Sequence, residues 1–316
     1  MAQDAPLANL RTAARLANGF MLDLVKLGRF GRDVVDAILL TAISQANVLP
    51  ITRDPVLQRR YATLDQPPPD DLRRPVSISA VAHSLHVPFE TARRRIAAMV
   101  EAGIVYSTPR GVIIPQAPLD SPTYRTLATA HYEIVRGLYL RLTPLQLFDF
   151  PSHPPEFSAA APPVRLVSRL SANYLLRLSE PITENAGDLV SALILLDMIH
   201  ANTEHLPDLG VRTDPAVSNG YLPDDQRRPV RVSTLSERLG IPPETVRRHL
   251  NRLARLDRCE RTETGYIVPG RVLSQGPFVR YMLDNNLHMQ RFFAGLAEYG
   301  ITTLWDHEAN ALRGAA

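Results

Sequence analysis

Apolar positions recur along this chain at two periods, and the changes between them lay out its elements. Val34, Ile38, Leu39, Ala42 and Ile43 stand three or four apart, the spacing that lines one face of a helix. The same period predicts helices over roughly 8–26, 31–47, 122–142, 165–179, 187–203, 277–299 and 302–312. A polar, proline-containing loop closes off the helix at 31–47, and another the helix at 187–203. Between residues 76 and 79 the pattern shifts to a short β-branched alternation, which predicts a strand. Ser79 then suits the N-cap of a helix reaching Leu85, with Val81, Ala82 and Leu85 on its apolar face. Ser233 stands in the same relation to Leu235 and Leu239. After a three-residue break, a second helix runs from about Phe89 to Ala102, with Ala92, Ile96 and Met99 on one side. Its counterpart buries Val246, Leu250 and Leu253. Two short β-like runs come next, around a turn that holds Pro109 and Gly111, with Gly265 in the equivalent place.

The pattern occurs twice because the sequence does. Residues 70–115 align with 224–269 without a gap at an offset of 154. Arg73/Arg227, Arg74/Arg228, Pro75/Pro229, Glu90/Glu244, Thr91/Thr245, Arg93/Arg247, Arg94/Arg248 and Gly111/Gly265 are identical pairs. The likeness extends outward. The segment from Asp33 mirrors that from Asp188, the one from Arg15 mirrors that from Arg169, and Ser121–Arg125 mirrors Gly276–Arg280. The chain therefore reads as one module written twice, at 1–150 and 165–316. A proline-rich linker at 151–164 joins them, overlapping a stretch (144–163) that cannot be one regular helix.

Composition narrows the class. A chain of 316 residues has room for two domains, and 45% apolar with 21% charged residues is ordinary for a soluble globular protein. The longest apolar runs, such as 192–196, fall far short of the roughly 20 residues a membrane span needs. The first sixteen residues lack the basic-then-apolar plan of a signal peptide. The single cysteine, Cys259, excludes an internal disulfide and a cysteine-based zinc site, and suits a reducing cytoplasm. It takes the place of Val105 in the other copy, so it reads as a small strand hydrophobe. No nucleophile elbow, P-loop, zinc-protease helix or dinucleotide fingerprint is present, and His200, Glu204 and His205 are not read as metal ligands. No enzyme activity, cofactor or metal is expected.

Charge is informative only by position. Lys26 is the only lysine, and the net charge is +3. Residues 72–115 carry six arginines against two glutamates, and 226–270 carry ten against five acids, so the remainder is net negative. Adding the aspartate pairs at 70–71 and 224–225 leaves both segments positive. Arginine concentrated this way is the electrostatic footprint of nucleic-acid binding.

The segments VPFETARRRIAAMVEAGIV (87–105) and IPPETVRRHLNRLARLDRC (241–259) resemble the helix-turn-helix signature shared by the GntR, Crp/Fnr and IclR groups of bacterial regulators. The resemblance implies a mainly α fold: two tandem winged helix-turn-helix modules, at about 72–115 and 226–270, each with a small β-hairpin wing and flanked by amphipathic helices. It also implies that Thr91, Arg93, Arg94, Thr245, Arg247 and Arg248 meet DNA at the start of a recognition helix. Phe89 and Pro243 depart from the polar residue common there. Position and charge add Arg73, Arg74, Ser79, Arg95 and Arg110 in the first copy, and Arg227, Arg228, Ser233, His249, Arg252 and Thr264 in the second. The expected function is a cytoplasmic, nucleoid-associated, sequence-specific transcriptional regulator that reads two half-sites of double-stranded DNA. Differences at 95/249, 98/252 and 89/243 predict unequal half-sites. A plasmid-type replication initiator and a chromosome-organising scaffold are the other readings. The flanking helices offer a homodimer surface and room for a small-molecule effector.

Overall fold

The computed structural model describes residues 4–29, 31–208 and 221–314. In chain order the helices are α1 (Asp4–Leu27), α2 (Val34–Asn47), α3 (Leu49–Arg53), α4 (Pro55–Arg60), α5 (Ile78–Ser84), α6 (Phe89–Glu101), α7 (Pro122–Leu142), α8 (Val164–Ala186), α9 (Leu189–Ala201), α10 (Val232–Leu239), α11 (Pro243–Arg255), α12 (Gly270–Leu273), α13 (Gly276–Ala297) and α14 (Ile301–Gly314). The strands are β1 (Tyr106–Thr108), β2 (Gly111–Ile113), β3 (Glu260–Arg261) and β4 (Tyr266–Ile267), so the described chain is mainly helical.

The chain folds into two compact units. One contains residues up to Ile38 together with Leu178–Leu287, and the other Leu39–Arg177 together with residues from His288 onward. These units cut across the sequence modules 1–150 and 165–316, because each leading helix packs with residues of the other repeat.

In the unit holding α1, the centre is α9. It is buried on all sides, from Leu189 and Ala192 through Leu196 to Met198 and Ala201, as a helix without a polar face must be. α1 lies against it, and Asn18 Nδ2 donates to Leu196 O at 2.9 Å. A Cβ on Gly19 would come within 2.8 Å of the His200 ring, so glycine permits this approach. Asp197, with no solvent exposure, accepts from Lys26 Nζ at 2.8 Å and from Arg238 Nε at 3.0 Å, tying α9 to α1 and α10. At the end of α9, Asn202 Nδ2 donates to Arg228 O and Tyr266 O, and its Oδ1 accepts from Val268 N.

In the other unit Asn47, at the end of α2, makes the matching bonds to Arg74 O, Val112 O and Ile114 N. The first part of α8 belongs here. Arg169 donates to Tyr61 O at 2.9 Å and Gln58 O at 3.0 Å, and Arg165 N donates to Ala62 O. Tyr132, Tyr139, Phe293 and Trp305 form an aromatic cluster, in which Trp305 Nε1 donates to Tyr132 OH at 2.6 Å. The proline-rich stretch is packed rather than free. Glu156 pairs with Arg59 at 2.7 Å, and its N–H donates to Tyr299 O.

Three local expectations are corrected. The segment after Asn47 is not loop alone; it holds α3 and α4, and Asp54 caps α4 by accepting from Val56 N and Leu57 N. The strand expected at 76–79 reduces to a single bridge, Val76 to Val112, matched by Val230 to Tyr266. Helix α5 consequently begins two residues early. Ser77 is its N-cap, accepting from Ala80 N at 3.1 Å, and Ser79 lies within the first turn. Ser233 is not a cap either, because Arg231 holds that position in α10 without a side-chain bond.

Candidate nucleic-acid interface

Each unit contains a helix, a tight turn, a second helix and a hairpin. The turns use left-handed residues, His86 at φ +52° and Gly240 at φ +68°. The inner faces of the second helices are fully buried: Ala92, Ile96 and Met99 on α6, Val246, Leu250 and Leu253 on α11. With that stripe fixed inward, the helical period turns Arg93, Arg94, Arg247 and Arg248 outward, and all four are exposed. Thr91 and Thr245 are half-buried beside them.

Arg93 forks onto Glu90 at 2.9 and 2.6 Å, and Arg247 bonds Glu244 in the same i, i+3 relation. Exposed pairs like these contribute little to stability, so a phosphate can replace the glutamate. No ion pair among the described residues holds Arg94 or Arg248. The first turns of α6 and α11 begin after Pro88 and Pro242, which make no side-chain cap bond. Backbone N–H groups there add to the positive end of the helix dipole.

The hairpins pair antiparallel, with Ser107 opposite Val112 and Arg261 opposite Tyr266. Glycine is required at their turns by close approach. A Cβ on Gly111 would sit 2.3 Å from Val76 O, and one on Gly265 would sit 2.5 Å from Val230 O. Arg110 and Thr264 are exposed near the tips.

Several of the expected DNA contacts are engaged within the fold. Arg73 and Arg227 are buried, at 7% and 5% exposure. Arg73 donates to Asp70 and Pro68 O, and Arg227 to Asp224 and Leu222 O. Burial lowers both pKa values despite the aspartates. These arginines are committed to bonds within the unit, each to an aspartate and a backbone carbonyl. His249 turns inward, its Nδ1 2.8 Å from Ser191 Oγ, and burial lowers its pKa. Arg252 bonds Asp188 at 2.6 Å while remaining exposed, and Arg95 is half-buried on the helix flank. The neighbouring Arg74 and Arg228 are exposed, and Ser79 and Ser233 are exposed on the first turns of α5 and α10.

Exposed cations outside the set expected from the sequence include Arg231 and Arg261. They replace Ser77 and Ser107 at the repeat offset, so reading the aligned differences for charge would have found them. Phe89 and Tyr106 are exposed apolar residues of the first copy, at 52% and 51%. Cys259 is buried, and burial pushes its thiol up to about 12, as suits a strand hydrophobe.

A buried-faced second helix with arginines at its exposed start, leading into a glycine-tipped hairpin, defines a helix-turn-helix DNA-binding protein. Residues 225–271 match the family model of the DeoR-like helix-turn-helix domain, the class of domain found in DNA-binding transcriptional regulators. That model takes the place of the GntR, Crp/Fnr and IclR resemblance as the family match in the second copy. No curated protein and no solved structure matches the chain. No described helix is long and apolar enough to cross a membrane.

Proposed function

We propose that this chain is a sequence-specific transcriptional regulator that carries two winged helices, at about 72–115 and 226–270, and reads two half-sites. The observation that carries this reading is the exposure of Arg94 and Arg248, unpaired at the starts of α6 and α11, where recognition helices meet base edges. Arg93, Arg247, Arg74 and Arg228 supply phosphate contacts, with the salt dependence these bring. The duplicated sequence supports placing the first copy beside the DeoR-like second one.

The half-sites are unequal. His249 is tied to α9 and does not contribute to the difference, whereas exposed Arg252 can exchange Asp188 for a phosphate as Arg93 can exchange Glu90. The difference comes from Arg231, Arg252 and Arg261 in the second copy, against exposed Phe89, Tyr106 and Arg110 in the first. Footprinting of the full chain on selected DNA at fixed salt tests this. Two protected half-sites of different sequence support it. Two identical half-sites, equally weakened by Arg94→Ala and Arg248→Ala, overturn it. Protection confined to repeats at a replication origin would point to an initiator, and binding without sequence preference to a chromosome scaffold.

A further inference from the structure

A cavity of about 160 Å³ lies within the unit that holds α1 and the DeoR-like domain. Leu196 and Ile199 of α9 form one apolar wall, and Phe278 and Met282 of α13 another. Four of its lining residues each carry a buried polar atom with no partner among the described residues: Arg11 Nε, Asn18 Oδ1, Arg227 Nη1 and Tyr281 Oη. Asn18, Arg227 and Tyr281 are each at least nine-tenths buried. An unsatisfied buried polar group is costly, so four on the residues lining one cavity need a reason.

The donors favour an anion. Arg11 stacks over the Tyr221 ring at 4.2 Å, leaving its edge available. Arg227 gives Nε to Asp224 and Nη2 to Leu222 O, which leaves Nη1 free. Tyr281 adds a hydroxyl donor. Among the described residues, no lining side chain is acidic. The volume is close to that of a cavity of about 150 Å³ known to take benzene. With apolar walls on two helices, that size suits a compact ring. A monocarboxylate matches guanidinium donors and is cheaper to dehydrate than a phosphate dianion.

The other unit uses its matching residue differently. Arg165, at the repeat offset from Arg11, gives its terminal nitrogens to Leu119 O, Leu64 O and Tyr124 Oη.

We propose that this cavity is a binding site for a small monocarboxylate with a compact aromatic or alicyclic body. The ring lies between α9 and α13, and the carboxylate meets Arg227, Arg11 and Tyr281. The site is independent of the DNA-binding reading, because binding is measured without DNA.

Calorimetry on the full chain with benzoate, phenylacetate and cyclohexanecarboxylate tests it, with benzamide and inorganic phosphate as controls. Expected is one site per chain for at least one carboxylate, with benzamide and phosphate at least tenfold weaker. Arg11→Gln and Tyr281→Phe should each weaken binding about tenfold. Arg227→Gln is the sharpest variant but also removes braces of the fold. Ala14→Phe, which fills the cavity, is therefore paired with it, each checked by a melting curve. Ala14→Phe should abolish binding in a folded chain. The proposal is overturned if none of the three carboxylates binds at millimolar concentration, if benzamide or phosphate binds as tightly, or if folded Ala14→Phe and Tyr281→Phe bind as the parent does.

Discussion

Arg238 of α10 bonds Asp197 of α9 through its Nε, at 3.0 and 3.1 Å to the two carboxylate oxygens. The carboxylate is fully buried while the guanidinium reaches solvent at 22% of its side chain. Arg238 also pairs with Glu204, and Lys26 completes the charge around Asp197. This is a structural use of arginine inside a segment whose positive charge marks it for DNA.

Asp197→Ala should therefore destabilise the unit containing α1 without altering the exposed arginines. Lys26 and Arg238 lie near solvent and can rehydrate, so the loss should be about 1–3 kcal/mol, below that for a fully buried pair. Urea unfolding measures it. An unchanged midpoint would show that the pair contributes nothing net.

The two members of each arginine pair, 73–74 and 227–228, should behave oppositely under mutation. Arg74→Ala and Arg228→Ala should weaken DNA binding at low salt and leave the melting temperature unchanged. Arg73→Ala and Arg227→Ala should lower the melting temperature, because each strips a buried guanidinium from backbone carbonyls and an aspartate. Melting curves beside DNA titrations separate the two classes.

Arg94→Ala and Arg248→Ala should each weaken specific binding by about 1–3 kcal/mol without unfolding the protein, if each guanidinium reads a base edge. Unchanged affinity in both would remove α6 and α11 from the recognition surface.

Gly111→Ala and Gly265→Ala should destabilise their hairpins by on the order of 2 kcal/mol, since the new methyl would meet a backbone oxygen well inside contact distance. Chemical unfolding of each variant tests this, and wing-dependent DNA affinity should fall with it.

Acid should destabilise the unit holding α7. His131 is half-buried with its Nε2 2.6 Å from Ser171 Oγ, and loss of solvent around the ring lowers its pKa to about 4 from 6.5. Below pH 6.5 the unfolded chain takes up a proton that the folded chain refuses. The stabilisation is thus complete above pH 6.5 and is lost as pH falls toward 4, by about 2 kcal/mol at pH 5. His200 and His249, also lowered by burial, add the same sign in the other unit. His131→Asn should flatten the dependence of the urea midpoint between pH 7 and pH 5, and an equally steep profile would clear His131 of the effect.

The long helices, the likeness of the two segments and the exposed arginines of α6 and α11 are legible in the chain before it folds. Each comes from local periodicity: once Ala92, Ile96 and Met99 face inward, Arg94 must face outward. Identity at a matched position could not separate Arg73 from Arg74, because the two are adjacent, alike and equally repeated. Folding alone turns Arg73 and Arg227 inward, since their burial depends on carbonyls that the fold brings around them. Folding also commits His249 and Arg252 to α9 and its cap, and starts the helix after Ser77, where strand pairing stops at one residue. The cavity was equally invisible to periodicity. Arg11 and Asn18 lie far in the chain from Arg227 and Tyr281, and only the packing of a leading helix with residues of the other repeat lines one cavity with them.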